Sequence, residues 1–376
     1  MKIAGIIAEY NPFHLGHKYH IEKTREAGAT HIAVVMSGSV VQRGDIAIAD
    51  TYSRAEAAIN GGADLVLELP PQYALGAARD FARAGVGIFR KLGCVGMLSF
   101  GAENEDVAAL ESALCEIEAH ELEIKAAMSQ GRTYPQAAAE VCGEDAAKII
   151  LGQNNTLALE YLRALRGSGI EPIAMRRTVP HDGEETQGRF ASASHIRKML
   201  KDGKDAAEFL GYGLNRGELS FIENGERAVL YRLSAMSQGD FERAPYCGEL
   251  AGRLYRASRR AESLEDIYSE VKPRNVTLAR VRRVVMLAAL GVTTSDTFAP
   301  PFARVLALNA RGAEILKICR KTADIPILDS LADLAKISPE AKRQAEIIEL
   351  ASRLQSICRA DGKGVSEFKR NAKVIG

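Results

Sequence analysis

Two histidines stand near the start of the chain, within the run Glu9-Tyr10-Asn11-Pro12-Phe13-His14-Leu15-Gly16-His17-Lys18. Pro12 ends any preceding strand, and a helical pattern begins near Gly16. His14 and His17 then share one side of a helix start, where imidazoles can donate to phosphate oxygens. The N–H groups and dipole of a helix N-terminus attract the same anion. The run therefore predicts a site that stabilises charge developing on an α-phosphate during nucleotidyl transfer.

A second motif lies much later in the chain, in the run Ser192-Ala193-Ser194-His195-Ile196-Arg197. A serine at a helix start caps free N–H groups, and Arg197 would point from the first turns towards a bound anion. Taken alone, this run is also what an ordinary capped helix with a solvated arginine shows. Combined with the histidine motif, it predicts one nucleotide site. Its catalytic residues would be His14, His17, Ser192, Ser194 and Arg197.

The elements that must hold these motifs are apolar runs of strand length, which alternate with helix-length patterns over the first two hundred residues. The predicted strands cover residues 3–8, 31–36, 64–69, 95–99 and 170–175. This alternation predicts an α/β domain with a doubly wound parallel sheet that is covered on both faces. The histidine motif directly follows the first strand, so we expect the ligand at the carboxyl ends of the strands.

After residue 200 the strand patterns fade and helical periods dominate. We therefore predict two domains, a nucleotide-binding domain at residues 1–202 and a mainly α-helical domain at residues 203–376. Residues 201–376 contain 29 Lys and Arg against 23 Asp and Glu, which makes the second half basic. Such a charge balance is typical of chains with an anionic macromolecular partner, although solvated helix faces produce it as well.

Composition excludes several classes of protein. Hydrophobic residues make up 47% of the chain and charged residues 26%, as in globular proteins with a large core. The longest apolar runs, such as residues 284–290, are much shorter than the ~20 residues that span a bilayer, and Glu9 interrupts any signal peptide. We expect a cytoplasmic protein with no membrane partner. The six cysteines are scattered without a Cys-x-x-Cys pair, so neither a metal site nor a disulfide framework is predicted.

The two motifs, in this order and at this separation, resemble the His-x-Gly-His nucleotidyltransferase superfamily. Further segments are similar to the tRNA(Met) cytidine acetate ligase family, and together they extend over nearly the full length. They include residues 11–14, 36–44, 54–56, 62–70, 99–103, 154–162, 176–177, 277–283 and 304–309. The resemblance implies a Rossmann-like catalytic domain and a ligase activity.

In that family, ATP and acetate give an enzyme-bound acetyl-adenylate and pyrophosphate. The exocyclic amine of the wobble cytidine of elongator tRNA(Met) then takes the acetyl group, giving N4-acetylcytidine. The resemblance implies an ATP site formed by Ile7, Ala8, Glu9, Tyr10, Asn11, Pro12, Phe13, His14, Gly16, His17, His20, Gly101, Asn154, Arg176 and Arg177. No carboxylate cluster for a metal is visible, so we expect Mg²⁺ only as an ion carried by the nucleotide.

Arginines of the basic half are candidates for tRNA contacts, together with one arginine after the second strand. The predicted tRNA-binding residues are Arg43, Arg256, Arg259, Arg260, Arg280 and Arg283. A basic helical face of this kind can track a phosphate backbone. A solvated helix face balanced by Glu262, Glu265, Asp266 and Glu270 is the open alternative.

Two other functions fit parts of the pattern. One is a small-molecule adenylyltransferase of the same superfamily, against which the large basic helical region argues. The other is an RNA-binding protein that senses ATP with a decayed catalytic site, against which both intact motifs argue. The sequence does not indicate an oligomeric state.

Overall fold

Five parallel strands form the centre of the fold in the computed structural model, which describes residues 1–152, 155–176, 188–273 and 276–376. The strands are β1 (Ile3–Ala8), β2 (His31–Ser37), β3 (Val40–Val41), β4 (Asp45–Ile46), β5 (Leu65–Leu69), β6 (Met97–Ala102), β7 (Glu171–Arg176), β8 (Ala303–Leu308), β9 (Ile327–Leu328) and β10 (Lys373–Val374). The five predicted strands are confirmed as β1, β2, β5, β6 and β7, with ends that differ by at most three residues.

Helices surround the sheet and form most of the second half of the chain. Those before residue 202 are α1 (Leu15–Glu26), α2 (Thr51–Asn60), α3 (Pro71–Ala74), α4 (Ala78–Leu92), α5 (Val107–Ala119), α6 (Glu121–Ser129), α7 (Tyr134–Val141), α8 (Glu144–Leu151), α9 (Asn155–Leu165) and α10 (Ala193–Lys201). Those after it are α11 (Ala207–Leu210), α12 (Ile222–Ser234), α13 (Gln238–Arg243), α14 (Ala251–Ser258), α15 (Leu264–Val271), α16 (Leu278–Ala289), α17 (Ala310–Thr322), α18 (Leu331–Leu334) and α19 (Pro339–Ile357).

The strand order of the main sheet is β10-β8-β5-β2-β1-β6-β7. The five strands from β5 to β7 are mutually parallel. In chain order they read 3-2-1-4-5, which is the order of a doubly wound nucleotide-binding sheet. Strand order reverses between β1 and β6, and the crevice outside their carboxyl ends is where such sheets bind ligands. The predicted α/β fold class is confirmed.

The strands alternate their side chains between two apolar cores, one on each face of the sheet. On β1, Ile3 packs into a core with Phe89 and Leu98. Ile6 packs into the opposite core with Ile32. Parallel strands that are covered on both faces carry apolar residues at nearly every position, which is the pattern that made them recognisable in the sequence.

Three strands of the second half also join the main sheet. β8 pairs with β5 in the antiparallel direction, while β9 and β10 run parallel to β8. On β8, Arg304 is buried, and its Nη1 lies 3.1 Å from Glu68 Oε2 and 2.9 Å from Glu367 Oε2. Residues 203–376 are mainly helical as expected. The prediction that strand patterns fade after residue 200 is wrong for residues 303–308, which form β8. The domain boundary at 202 stays a prediction.

A third apolar cluster fixes the helix that carries the second motif. Ile196 and Leu200 of α10 pack with Ile48, which follows β4, and with Phe209 of α11. These contacts hold the start of α10 beside the loop after β1. None of the helices within the described residues is both long and apolar enough to cross a membrane.

Candidate active site

The loop between β1 and α1 holds the first motif in a tightly bonded turn. Tyr10 has a positive φ of 47°, and the Asn11-Pro12 peptide bond is cis. Asn11 Oδ1 accepts the backbone N–H of Ile48 at 2.8 Å. His14 then caps α1 with an extended backbone. The chain therefore leaves the sheet sharply and enters the helix at the carboxyl end of β1.

The bonds made by the two imidazoles fix which ring nitrogen carries the proton. His14 Nδ1 accepts the N–H of Gly16 at 3.0 Å, and His17 Nδ1 accepts the N–H of His14 at 3.2 Å. A ring nitrogen that accepts a backbone N–H carries no hydrogen, so the neutral imidazole bears its proton on Nε2. Both histidines line the cavity described below as N–H donors. Donors of this kind suit phosphate oxygens.

Gly16 serves the site through its missing side chain. A Cβ at this position would lie 2.9 Å from His14 Cε1 and 3.0 Å from His14 Nδ1. The structure also refines one expectation, because the Gly16 N–H is already bonded to His14 and is not turned to a ligand. The side chains of His14 and His17 line the cavity in its place.

The second motif reaches the first through Arg197. Ser192 caps α10 and accepts the N–H of His195 at 3.1 Å. Arg197 Nη1 donates to the Asn11 carbonyl at 2.8 Å, and its Nη2 donates to Ser194 Oγ at 3.1 Å. The two motifs are therefore joined directly, as the nucleotide-site prediction requires.

Arg54 is a residue whose part in the site the sequence analysis missed. It is fully buried on α2 and donates to four backbone carbonyls, those of Glu9, Ser37, Gly38 and Ala49. Burial lowers the pKa of Arg54 to about 10. Because Glu9 directly follows β1 and Ser37 ends β2, Arg54 holds the carboxyl ends of two strands together. The one indication in the sequence that Arg54 belongs to the site was its position in residues 54–56, a segment similar to the tRNA(Met) cytidine acetate ligase family.

A cavity of about 240 Å³ opens where these elements meet, at the carboxyl ends of β1, β6 and β7. The predicted site residues that line it are Ile7, Ala8, Glu9, Tyr10, Asn11, His14, Gly16, His17, His20, Arg43, Gly101, Arg176, Ser192 and Arg197. Pro12, Phe13 and Ser194 lie beside the cavity without lining it. Asn154 and Arg177 lie outside the described residues. The structure thus gathers most of the predicted residues, whose roles stay predictions.

Several lining residues were not predicted. They are Ile6, Tyr19, Lys23, Gln42, Phe81, Phe100, Leu157, Tyr161, Met175, Phe190, Ala191 and Ala193. Helical spacing could have found some of them, because Lys23 follows His20 by three residues and Tyr161 follows Leu157 by four. The phenyl ring of Phe100 and the ring of Tyr161 lie 5.7 Å apart. They give one wall of the cavity an aromatic surface, as small-molecule sites have.

The charge of the cavity suits a polyanion. Among its lining residues in the described part of the chain, Lys23, Arg43, Arg176 and Arg197 are cationic and Glu9 is the one carboxylate. Concave surfaces of one sign concentrate ligands of the opposite sign. Across the described residues, no group of three or more His, Cys, Asp or Glu side chains could hold a metal ion.

Two of the predicted tRNA contacts meet at the loop after β3. Arg43 lines the cavity, and Arg283 Nη1 lies 3.4 Å from the carbonyl oxygen of Gln42. Burial lowers the pKa of Arg283. Arg280, also on α16, donates to the Tyr246 carbonyl at 3.2 Å. The structure therefore brings part of the basic helical region to the edge of the cavity.

The other predicted tRNA contacts are exposed at the end of α14. The guanidinium of Arg259 lies 4.9 Å from the ring centre of Tyr255. Arg260 forms an ion pair of 2.5 Å with Glu270, one of the acidic residues of the alternative reading. Arg256 lies one helical turn before them. Their contact with tRNA stays a prediction.

Comparison with known proteins agrees with this geometry. The model of the family described as HIGH Nucleotidyl Transferase matches residues 1–368. The tRNA(Met) cytidine acetate ligase of Acetivibrio thermocellus is 32% identical to this chain over the whole length of both proteins. The chain belongs to the tRNA(Met) cytidine acetate ligase family. A second tRNA(Met) cytidine acetate ligase, from Fervidobacterium nodosum, is 31% identical over 92% of this chain and 87% of the relative.

Solved structures extend the match to the whole fold. The crystal structure of Thermotoga maritima TmcAL in its apo form superposes with a TM-score of 0.91 at 25% identity, covering 100% of both chains. The same protein bound with alpha-thio ATP superposes with a TM-score of 0.89 over the same share of both chains. The resemblance of the two motifs to the nucleotidyltransferase superfamily and that of the further segments to the tRNA(Met) cytidine acetate ligase family are both confirmed.

Proposed function

We propose that this enzyme activates acetate with ATP and transfers the acetyl group to N4 of the wobble cytidine of elongator tRNA(Met). The observation that carries the proposal is the direct bond between the two motifs, in which Arg197 donates to the Asn11 carbonyl beside the histidine pair. Family membership over the full length supports the same activity. The enzyme would act in the cytoplasm, where tRNA is modified.

In the first half-reaction, an acetate oxygen attacks the α-phosphorus of ATP and pyrophosphate leaves. Catalysis of this type of transfer is mostly positioning and stabilisation of charge. The Nε2–H groups of His14 and His17 donate to the phosphate oxygens, and Arg197 adds a cation at the same end of the cavity. Mg²⁺ would arrive on the ATP phosphates, which need few protein ligands.

In the second half-reaction, the cytidine amine attacks the acetyl carbon and AMP leaves. Among the described residues, all those that line the cavity fall between Ile6 and Arg197, which agrees with a catalytic part at residues 1–202. The helical region would then supply the tRNA contacts, with Arg256, Arg259 and Arg260 exposed on one segment and Arg43 at the cavity. This division would bring the tRNA to the nucleotide from the α16 side.

The alternative, a small-molecule adenylyltransferase, is not favoured. It needs the same phosphate site but gives no reason for a long helical region, over which the match to the tRNA(Met) cytidine acetate ligase of Acetivibrio thermocellus continues. Its product would keep the AMP group, whereas a ligase releases AMP. The fate of AMP therefore separates the two functions.

The decisive experiment incubates the purified protein with ATP, acetate and unmodified elongator tRNA(Met), and omits each component in turn. The tRNA is digested to nucleosides and N4-acetylcytidine is measured by mass spectrometry. We expect acetylcytidine only in the complete mixture, with one AMP released for each acetyl group. If ATP turns over with acetate but the tRNA stays unmodified, the tRNA part of the proposal is wrong.

A further inference from the structure

We propose that Glu9 accepts the proton released when the cytidine amine attacks the acetyl-adenylate. The inference rests on the proposed function and adds a residue to its second half-reaction. Glu9 follows β1, lies at the carboxyl end of the strand and is half-buried. It lines the cavity beside the histidine motif.

The reaction needs a proton acceptor at this step. As the N4–carbon bond forms, the carbon–oxygen bond to the phosphate breaks and its electron pair leaves with AMP. The attacking nitrogen then carries one proton too many, and the amide product forms when that proton is removed. A positioned base typically contributes about 10²–10⁴-fold to such a step.

The other polar groups of the cavity are poorly suited to this task. His14 and His17 use Nδ1 to accept backbone N–H groups, so in each neutral ring the other nitrogen is an N–H donor. Arginine and lysine side chains are protonated donors. Among the lining residues in the described ranges, Glu9 is the one carboxylate. His20, whose Nε2 lies 2.9 Å from Ser99 Oγ, is the competing acceptor.

Glu9 is held in place at both ends. Its carbonyl oxygen accepts a 2.7 Å bond from Arg54 Nη1, and its Oε1 accepts the backbone N–H of Gln42 at 2.7 Å. For Oε2, no hydrogen-bond partner is found among the residues that the structure describes. A carboxylate with one anchored oxygen and one oxygen open to a ligand is arranged as a positioned base should be.

The anchor of Glu9 is itself fixed by the helical region, which gives Arg283 a positioning role. Arg283 Nη1 faces the Gln42 carbonyl at 3.4 Å, on the opposite side of the residue whose N–H binds Glu9. Gly44, with a φ of +77°, packs so closely on α16 that a Cβ at this position would clash with the backbone nitrogen of Arg283. Glu9 is therefore oriented by the part of the chain that is proposed to receive tRNA.

The test measures the two half-reactions separately in Glu9→Gln. Acetate-dependent exchange of pyrophosphate into ATP reports on acetyl-adenylate formation, and acetylcytidine formation reports on transfer. We expect the ratio of transfer to exchange to fall about 100-fold or more, because glutamine keeps the shape but accepts no proton. Glu22→Gln, which removes an exposed carboxylate on α1 outside the cavity, is the matched control and should leave the ratio unchanged.

Measured at saturating tRNA, Arg283→Gln should still lower the same ratio by a smaller factor, because it loosens the Gln42 anchor without removing the carboxylate. An equal fall of both half-reactions in Glu9→Gln would overturn the proposal and place Glu9 in ATP binding. A fall of the ratio in His20→Gln, with none in Glu9→Gln, would assign the base to His20. Failure of the wild-type enzyme to form acetylcytidine would instead refute the proposed function.

Discussion

The imidazole rings of His14 and His17 are stacked, with their centres 3.7 Å apart and their planes inclined by 30°. Both rings accept a backbone N–H at Nδ1, so the stack presents two Nε2–H groups in a fixed relation. The edge of Tyr10 packs on His17 with ring centres 4.7 Å apart. The pair is therefore a preorganised donor unit, whose orientation is set before any phosphate arrives.

This unit predicts that His17→Gln will keep more activity than His17→Ala. A glutamine can place an amide N–H near the position of Nε2, whereas alanine removes the donor. We expect His17→Ala to lower acetate-dependent pyrophosphate exchange about 100-fold or more, as the loss of a donor to developing charge typically does. Equal rates for the two variants would show that the Nε2–H group is not the active part of the side chain.

Gly16 gives a test of ring placement alone. Gly16→Ala puts a methyl group 2.9 Å from His14 Cε1, so the ring must shift. A displacement of about 1 Å at reacting groups can cost about 100-fold in rate, and we expect a loss of that order in exchange. Gly87→Ala on α4, where a Cβ meets nothing within 4 Å, is the control. It should retain full activity and unfold at slightly higher denaturant concentration, because alanine favours helix.

The buried cluster of Glu68, Arg304 and Glu367 predicts a pH dependence of stability. Burial raises the pKa of Glu68 to about 7, although the neighbouring Arg304 opposes the shift. The folded protein therefore holds a proton that the unfolded chain loses near pH 4.3, so stability should decrease as pH rises from about 4.3 to about 7. Glu68→Gln should remove this component. Urea unfolding of the wild-type protein and of Glu68→Gln from pH 5 to pH 8 gives the free energy of unfolding at each pH. The same pH dependence in both proteins would contradict the assignment.

The exposed arginines at the end of α14 should differ in their effect on tRNA binding. Arg260 is paired with Glu270, whereas Arg256 is exposed one turn earlier. If α14 contacts the tRNA backbone, Arg256→Ala should weaken binding and lower the salt slope by about one, and Arg260→Ala should do less. Fluorescence anisotropy with labelled tRNA(Met) at several salt concentrations measures both quantities. A larger effect of Arg260→Ala would mean that its pairing with Glu270 is exchanged for a phosphate contact.

The sequence allowed the phosphate-binding motifs to be predicted because their chemistry is local. His14 and His17 are three residues apart, and Ser192 and Arg197 lie within two turns of one helix. Their surroundings depend on long-range contacts that leave no local pattern. Nothing near Arg54 indicates that its guanidinium will bond three carbonyls at two strand ends as well as the carbonyl of Ala49.

The missed strand β8 has a different cause. Its residues are apolar and of strand length, but Arg304 interrupts the run, and an arginine within a buried strand is unusual unless it is paired. The partners that make it tolerable, Glu68 and Glu367, are far away in the sequence. The Gln42 bond to Glu9 was equally hidden, because it uses a backbone N–H that any residue type could supply.

The antiparallel pairing of β5 with β8 also has a consequence for synthesis of the protein on the ribosome. Val66 of β5 pairs with Ala307 of β8, so β5 cannot be paired on that side until residue 307 has been translated. Until then, the apolar segment Leu65–Leu69 has an open edge, and edges of this kind can pair with other chains. The nascent chain therefore passes through an interval in which aggregation competes with folding, and chaperones that shield this edge would raise the yield of active enzyme.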